Sequence, residues 1–163
     1  MACPTKTNLM LCLLLASTCV AQTHADRIVV HKKARTMELM RSSQVIKTYK
    51  IALGGEPVGP KTRQGDHRTP EGLYVIDSRN VHSQFHRSLH ISYPNADDRA
   101  RSLKLGKSPG GDIEIHGLPS GFAWIGTTQH ALDWTAGCIA LSNDEIDEVW
   151  KMVSVGTTVE IDP

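Results

Sequence analysis

A histidine and a cysteine stand at the ends of two short apolar runs. His116 closes Ile113-Glu114-Ile115 and is followed by Gly117; Cys138 opens Cys138-Ile139-Ala140-Leu141 and is preceded by Gly137. Runs of this length read as strands, so each reactive side chain sits where strand meets turn. A thiol and an imidazole at such junctions on adjacent strands can come within hydrogen-bonding reach, the arrangement nucleophilic acyl transfer needs. His130 is the competing base, but it lies mid-loop with no strand to fix it. His82, His86 and His90 recur every four residues, a metal-ligand spacing on a helix; Leu89 to Tyr93 alternates like a strand instead, which points these imidazoles apart.

The elements that must hold this pair are legible in the pattern. From Asp26 to Leu53 apolar residues fall mostly on alternate positions, which predicts three antiparallel strands with turns at Lys32 to Arg35 and Arg41 to Ser43. Gly54 to Gly72 is rich in glycine, proline and charge and reads as a long surface loop. Strands follow at Leu73 to Ile76 and Leu89 to Tyr93, then a helix over Asn95 to Leu105 with Asn95 as its cap. Gly117 to Ala136, carrying Trp124 and Trp134, predicts a loop with an aromatic wall beside a cleft. Ser142-Asn143-Asp144-Glu145 has the form of a capping box, and Ile146, Val149, Trp150 and Val153 make one apolar stripe, so a helix starts there and lies on the sheet. Thr157 to Ile161 reads as a closing strand. The sum is one mainly β domain, a sandwich of mixed sheets with one packed C-terminal helix.

Length and composition limit the function classes. The 163 residues suit one domain. Residues 1–25 carry Lys6 as their single charge and the apolar stretch Leu9 to Ala16, which reads as a secretory signal peptide cleaved after Ala25 and leaves residues 26–163 as the catalytic domain. That stretch is far shorter than the roughly 20 residues of a membrane span. Cys3, Cys12 and Cys19 would leave with it, so Cys138 would be alone in an oxidising compartment, either inert or kept for reactivity. With 18 Lys and Arg against 17 Asp and Glu, charge offers no case for nucleic acid or an anionic membrane.

The motifs Ile115-His116-Gly117, a loop, then Thr135-Ala136-Gly137-Cys138-Ile139-Ala140-Leu141 before a helix resemble the YkuD-type L,D-transpeptidases of bacterial cell walls. Thr69-Pro70-Glu71-Gly72 matches the family's upstream turn. The stretches GPKTRQGDHRTPEGLY, ISYPNADDRA and GCIAL are similar to the YafK-like branch. The resemblance implies a nucleophile at Cys138 and a base at His116, with no cofactor. Cys138 would attack the carbonyl at the L-centre of diaminopimelate in a peptidoglycan stem peptide, and an amine or water would resolve the thioester. A neighbouring imidazolium would lower the thiol pKa below its usual 8.5 or so. Gly137, Gly117 and the Cys138 amide would shape the oxyanion site. Trp134, Asp133 and Thr135, close to the cysteine, and Lys61, Arg63 and Arg68, in the charged loop, are the candidate substrate-binding residues. Ala136 stands where most of the family has histidine, and Ile139-Ala140 where arginine or asparagine is common. Groups for a second carboxylate are thus missing, and hydrolysis by an L,D-amidase or carboxypeptidase becomes the alternative to transfer. The expected setting is the periplasm of a Gram-negative envelope, and the expected state a monomer.

Overall fold

The computed structural model describes residues 24–163. Nearly all of the leader predicted over residues 1–25 lies outside them, with Cys3, Cys12 and Cys19. Strands β1 (Arg27–His31), β2 (Thr36–Arg41) and β3 (Gln44–Lys50) form the predicted meander in antiparallel pairs. Strand β4 (Gly72–Asn80) is longer than its alternating core suggested. From Ile76 onward it pairs with β5 (Ser88–Ile91), with a register shift between Ile76 and Ser78; β5 carries β6 (Glu114–His116), and β7 (Ile139–Ala140) lies parallel to β6. The strand β8 (Thr158–Asp162) inserts between β1, to which it is parallel, and β4. One mixed sheet results, in the order β3-β2-β1-β8-β4-β5-β6-β7. It curls: the segment leaving β3 returns to β7, where Ala52 exchanges hydrogen bonds with Ala140, 3.0 and 2.8 Å long.

Two helices complete the domain, each with the predicted cap. In α1 (Ala96–Lys104) the Asn95 side chain accepts from the Asp98 N–H and the Asp98 carboxylate accepts from the Asn95 N–H. It is anchored by polar ties, because its inward residues are Asp98 and Ser102; Asp98 accepts from the Tyr74 hydroxyl at 2.9 Å and Ser102 donates to the Thr62 carbonyl at 2.8 Å. In α2 (Asn143–Met152) Ser142 and Glu145 close the capping box. Ile146, Val149 and the C-cap Val153 are buried in the same apolar cluster as Ile115, Ile139, Val159 and Ile161. Each such side chain contributes about 1.5–3 kcal/mol. The loop predicted from Gly117 to Ala136 contains two short 3-10 stretches within Ala123–Ala131 that meet at Gly126 (φ 54).

Candidate active site

Alternation along the last two strands decides which side chains share a face. Ile115 and Ile139 are register partners and both enter the core, so Glu114, His116, Cys138 and Ala140 stand on the opposite face. His116 is paired with Ala140, which makes it the diagonal neighbour of Cys138. With strands about 4.8 Å apart and two residues spanning about 6.6 Å, the separation is about 8 Å between backbone positions, a gap that an imidazole and a thiol reaching toward each other can close. The register continued one residue before β7 brings Glu114 beside Cys138, and its carboxylate acts on the thiol.

His116 is deeply buried, its ring 4.3 Å from that of Phe85 and 5.8 Å, edge on, from that of Trp134. Its Nδ1 is 2.7 Å from the Gly117 carbonyl oxygen, which fixes Nδ1 as the protonated nitrogen and leaves Nε2 as the base. Burial drives the imidazole down to about 4, against the opposing pull of the Gly117 carbonyl. Cys138 is half-buried, and its thiol points to the Asp112 carbonyl at 3.6 Å. Burial pushes the thiol up to about 11; a hydrogen bond from the Glu114 backbone and the Lys61 ammonium oppose it, and the Glu114 and Asp112 carboxylates add to it. The expected imidazolium-lowered thiol is therefore corrected: burial disfavours both the imidazolium and the thiolate, so the pair rests neutral. Alkylation of Cys138 by iodoacetamide is expected to rise toward pH 11 instead of levelling off above 8.5, followed as adduct mass against pH; a midpoint near 8.5 would contradict the resting state described here.

The turn before Cys138 is built by its neighbours. Thr135 donates its hydroxyl to the Cys138 carbonyl at 2.8 Å and accepts from the Gly137 N–H at 3.1 Å. The Asp133 carboxylate faces inward, where Arg35 grips it with contacts of 3.0, 3.0 and 2.7 Å and the Leu53 N–H donates at 3.0 Å. It ties the reactive turn to the first hairpin. The Gly117 N–H is taken by the Phe85 and Arg87 carbonyls, at 3.1 and 3.2 Å, so its part in the oxyanion site is corrected: Gly117 serves through its carbonyl. Trp134 is partly exposed, its Nε1 donating to Gln129 at 2.8 Å, and it walls an apolar groove of about 350 Å3 with Leu118, Phe122, Ile125 and Leu132.

A second recess of about 190 Å3, with mixed polar and apolar walls, opens at Cys138 itself, lined by Lys61, Gln64, Gly111, Asp112, Ile113 and Ala136. Lys61 is held by buried Asp66 at 2.7 Å. Burial opposes the Asp66 charge, but Lys61 and the N–H groups of Thr62, Arg63 and Arg68 outweigh it and hold the carboxyl at about 2. Arg63 and Arg68 line a neighbouring recess with Glu56 and His67, which shares Gly65 with the cysteine's. His130 faces Glu145 at 3.2 Å, on α2. His86 pairs with Asp147 and His90 with Asp77, at 2.9 and 2.6 Å, and among the described residues no group of three metal-ligating side chains gathers. Sequence reasoning missed Phe85, which carried no local signal, and Glu114, whose alternation with His116 placed both on one face.

The profile of the YkuD family, the L,D-transpeptidase catalytic domain, matches residues 25–161. The Escherichia coli (strain K12) protein YafK, whose name gives L,D-transpeptidase as a proposed activity, is 30% identical over 133 residues, covering 78% of this chain and 46% of YafK. The chain thus spans about half the length of that relative. Among solved structures, the helical cell shape determining protein Pgp2 of Campylobacter jejuni superposes with a TM-score of 0.64 at 23% identity, over 83% of this chain and 46% of that one. An L,D-transpeptidase of Xylanimonas cellulosilytica DSM 15894 gives 0.54 at 16% identity, over 86% and 61%. These likenesses establish the fold.

Proposed function

The chain belongs to the YkuD family of L,D-transpeptidase catalytic domains, and from that premise we propose that it transfers acyl groups of peptidoglycan stem peptides through a thioester on Cys138. The observation that carries this is the placement of Cys138 and His116 on one face of the parallel β6–β7 pair, with the half-buried thiol opening into a recess. Because the resting pair is neutral, the proton moves as attack occurs. The thiol swings from the Asp112 carbonyl toward His116, whose Nε2 takes the proton as sulfur meets the carbonyl of the L-centre of diaminopimelate. His116 then gives that proton to the leaving amine, while the Gly117 carbonyl holds Nδ1–H and stabilises the transient imidazolium. Phe85 and Trp134 exclude water from the ring. The Gly137 N–H is spent on Thr135, so the Cys138 N–H is the donor left in this turn for the developing oxyanion. Asp133 and Thr135 position the turn rather than touch substrate.

Hydrolysis by the same thioester is the second reading. It is favoured by the surroundings of the nucleophile: Ala136, Ile139 and Ala140 offer no cation for an acceptor carboxylate, and Lys61 is committed to Asp66. Among the described residues no helix is long and apolar enough to cross a membrane, and action on the wall from the periplasm, as a monomer, completes the proposal.

The test is intact mass after incubation with disaccharide-tetrapeptide. The expected outcome is an acyl adduct on the wild type that Cys138→Ala abolishes; cross-linked products then mean transfer and shortened stems mean hydrolysis. Absence of both adduct and product would leave only a wall-binding module.

A further inference from the structure

We propose that Glu114 selects the amine that resolves the thioester, holding a primary ammonium beside Cys138. This rests on the acyl-transfer reading above and deepens it. The parallel pairs Ile115–Ile139 and His116–Ala140, continued one residue back, bring Glu114 beside the nucleophile, where its carboxylate acts on the thiol, while His116 is one step further along the same strand. Ser88 donates its hydroxyl to Glu114 Oε1 at 2.8 Å, which orients the carboxylate and leaves Oε2 available. Among the described residues no cationic side chain lies within ion-pair distance of it. His90, its register partner on β5, is held by Asp77, and Lys61, the cation that faces the thiol, is held by Asp66.

A half-buried carboxylate in this place works against the first half of the reaction, since its charge opposes a thiolate. Its value comes in the second half. Once the sulfur is acylated no negative charge remains there, and Glu114 can draw an ammonium to the thioester from partly desolvated surroundings, where charge pairing is stronger than in water. The bound ammonium loses one proton to water; the free amine attacks the thioester carbonyl, forming C–N as C–S breaks. His116 takes the second proton and passes it to the departing sulfur, which restores the thiol. With no cation at Ala136, Ile139 or Ala140 to meet a carboxylate, the amine is recognised by its charge alone, so the class that fits is a primary ammonium with no carboxylate beside it.

The experiment gives the full chain disaccharide-tetrapeptide as donor, with D-alaninamide or D-alanine as the competing amine, and counts amide and hydrolysis products by mass. The wild type is expected to favour D-alaninamide over D-alanine. Glu114→Gln, which keeps an acceptor for Ser88, is expected to lower the amide-to-hydrolysis ratio tenfold or more while forming the acyl adduct at least as fast as the wild type, and Glu114→Asp to fall between. An unchanged ratio in Glu114→Gln, or equal use of the two amines by the wild type, overturns the role of Glu114 while leaving the thioester intact. A wild type that forms no adduct overturns the acyl-transfer reading and this inference with it.

Discussion

His116→Ala is expected to slow acylation by about 10²–10⁴-fold at neutral pH, the usual worth of a positioned general base. The wild-type profile carries the sharper signature. The base works as neutral imidazole, and burial between Phe85 and Trp134 lowers its pKa from about 6.5 to about 4. The acid limb of the acylation rate is therefore expected near pH 4, and a limb near 6.5 would sink the claim that the cage holds the ring neutral. Stability should move in the same window. The unfolded imidazole takes its proton near 6.5 and the folded one near 4, so the unfolded state binds more protons between those values and folding weakens as pH falls through them, by about 3 kcal/mol in all. Urea unfolding from pH 7 to pH 4, on wild type and His116→Gln, checks this; the variant should lose that part of the pH dependence.

The second large effect is expected at the backbone crossing under the nucleophile. Gly137 has φ +133, and a Cβ there would lie 2.7 Å from the Arg68 carbonyl oxygen and 3.2 Å from Ile113 Cδ1. A Cβ on Gly54 would overlap the His67 carbonyl and come within 3.0 Å of the Gly137 Cα. The loop 54–72 and the reactive turn thus pass at van der Waals contact, with room for hydrogen alone. Gly137→Ala combines a disfavoured backbone region, costing about 1–3 kcal/mol, with overpacking of similar size. A loss of about 3 kcal/mol is expected by thermal unfolding, with adduct formation slowed more than about 10²-fold because the sulfur is displaced. Gly54→Ala should act alike, although it lies more than eighty residues upstream. Near-normal rates in either variant would mean that the crossing does not set the thiol's position.

Much of this fold is local and so was legible. The meander follows from alternation, and both helix starts follow from Asn95 and from Ser142 with Glu145, because caps are contacts between residues three apart. What the sequence could not convey is pairing at a distance. Nothing near Glu114 says that β7 lies parallel to β6 in the register that sets this carboxylate beside the thiol. Asp133 and Thr135 read correctly as close to Cys138, but the direction they face depends on Arg35, about a hundred residues earlier. The thiol was misjudged for a related reason: a histidine neighbour suggests an ion pair, whereas burial, which depends on how distant segments pack, sets the sign of the shift at both Cys138 and His116.

The place of β8 bears on how the molecule assembles. Arg27 pairs with Thr158, about 130 residues later, and β8 also carries β4, so the middle of the sheet is vacant until residues 158–162 arrive. Closing so long a loop must precede most of the cooperative gain, which makes for slow folding through late, non-local contacts. Until that strand docks, the hairpin of β1–β3 and the reactive turn have no common platform, and a polypeptide shortened before residue 158 would expose two unpaired strand edges, a template for aggregation rather than a weaker enzyme.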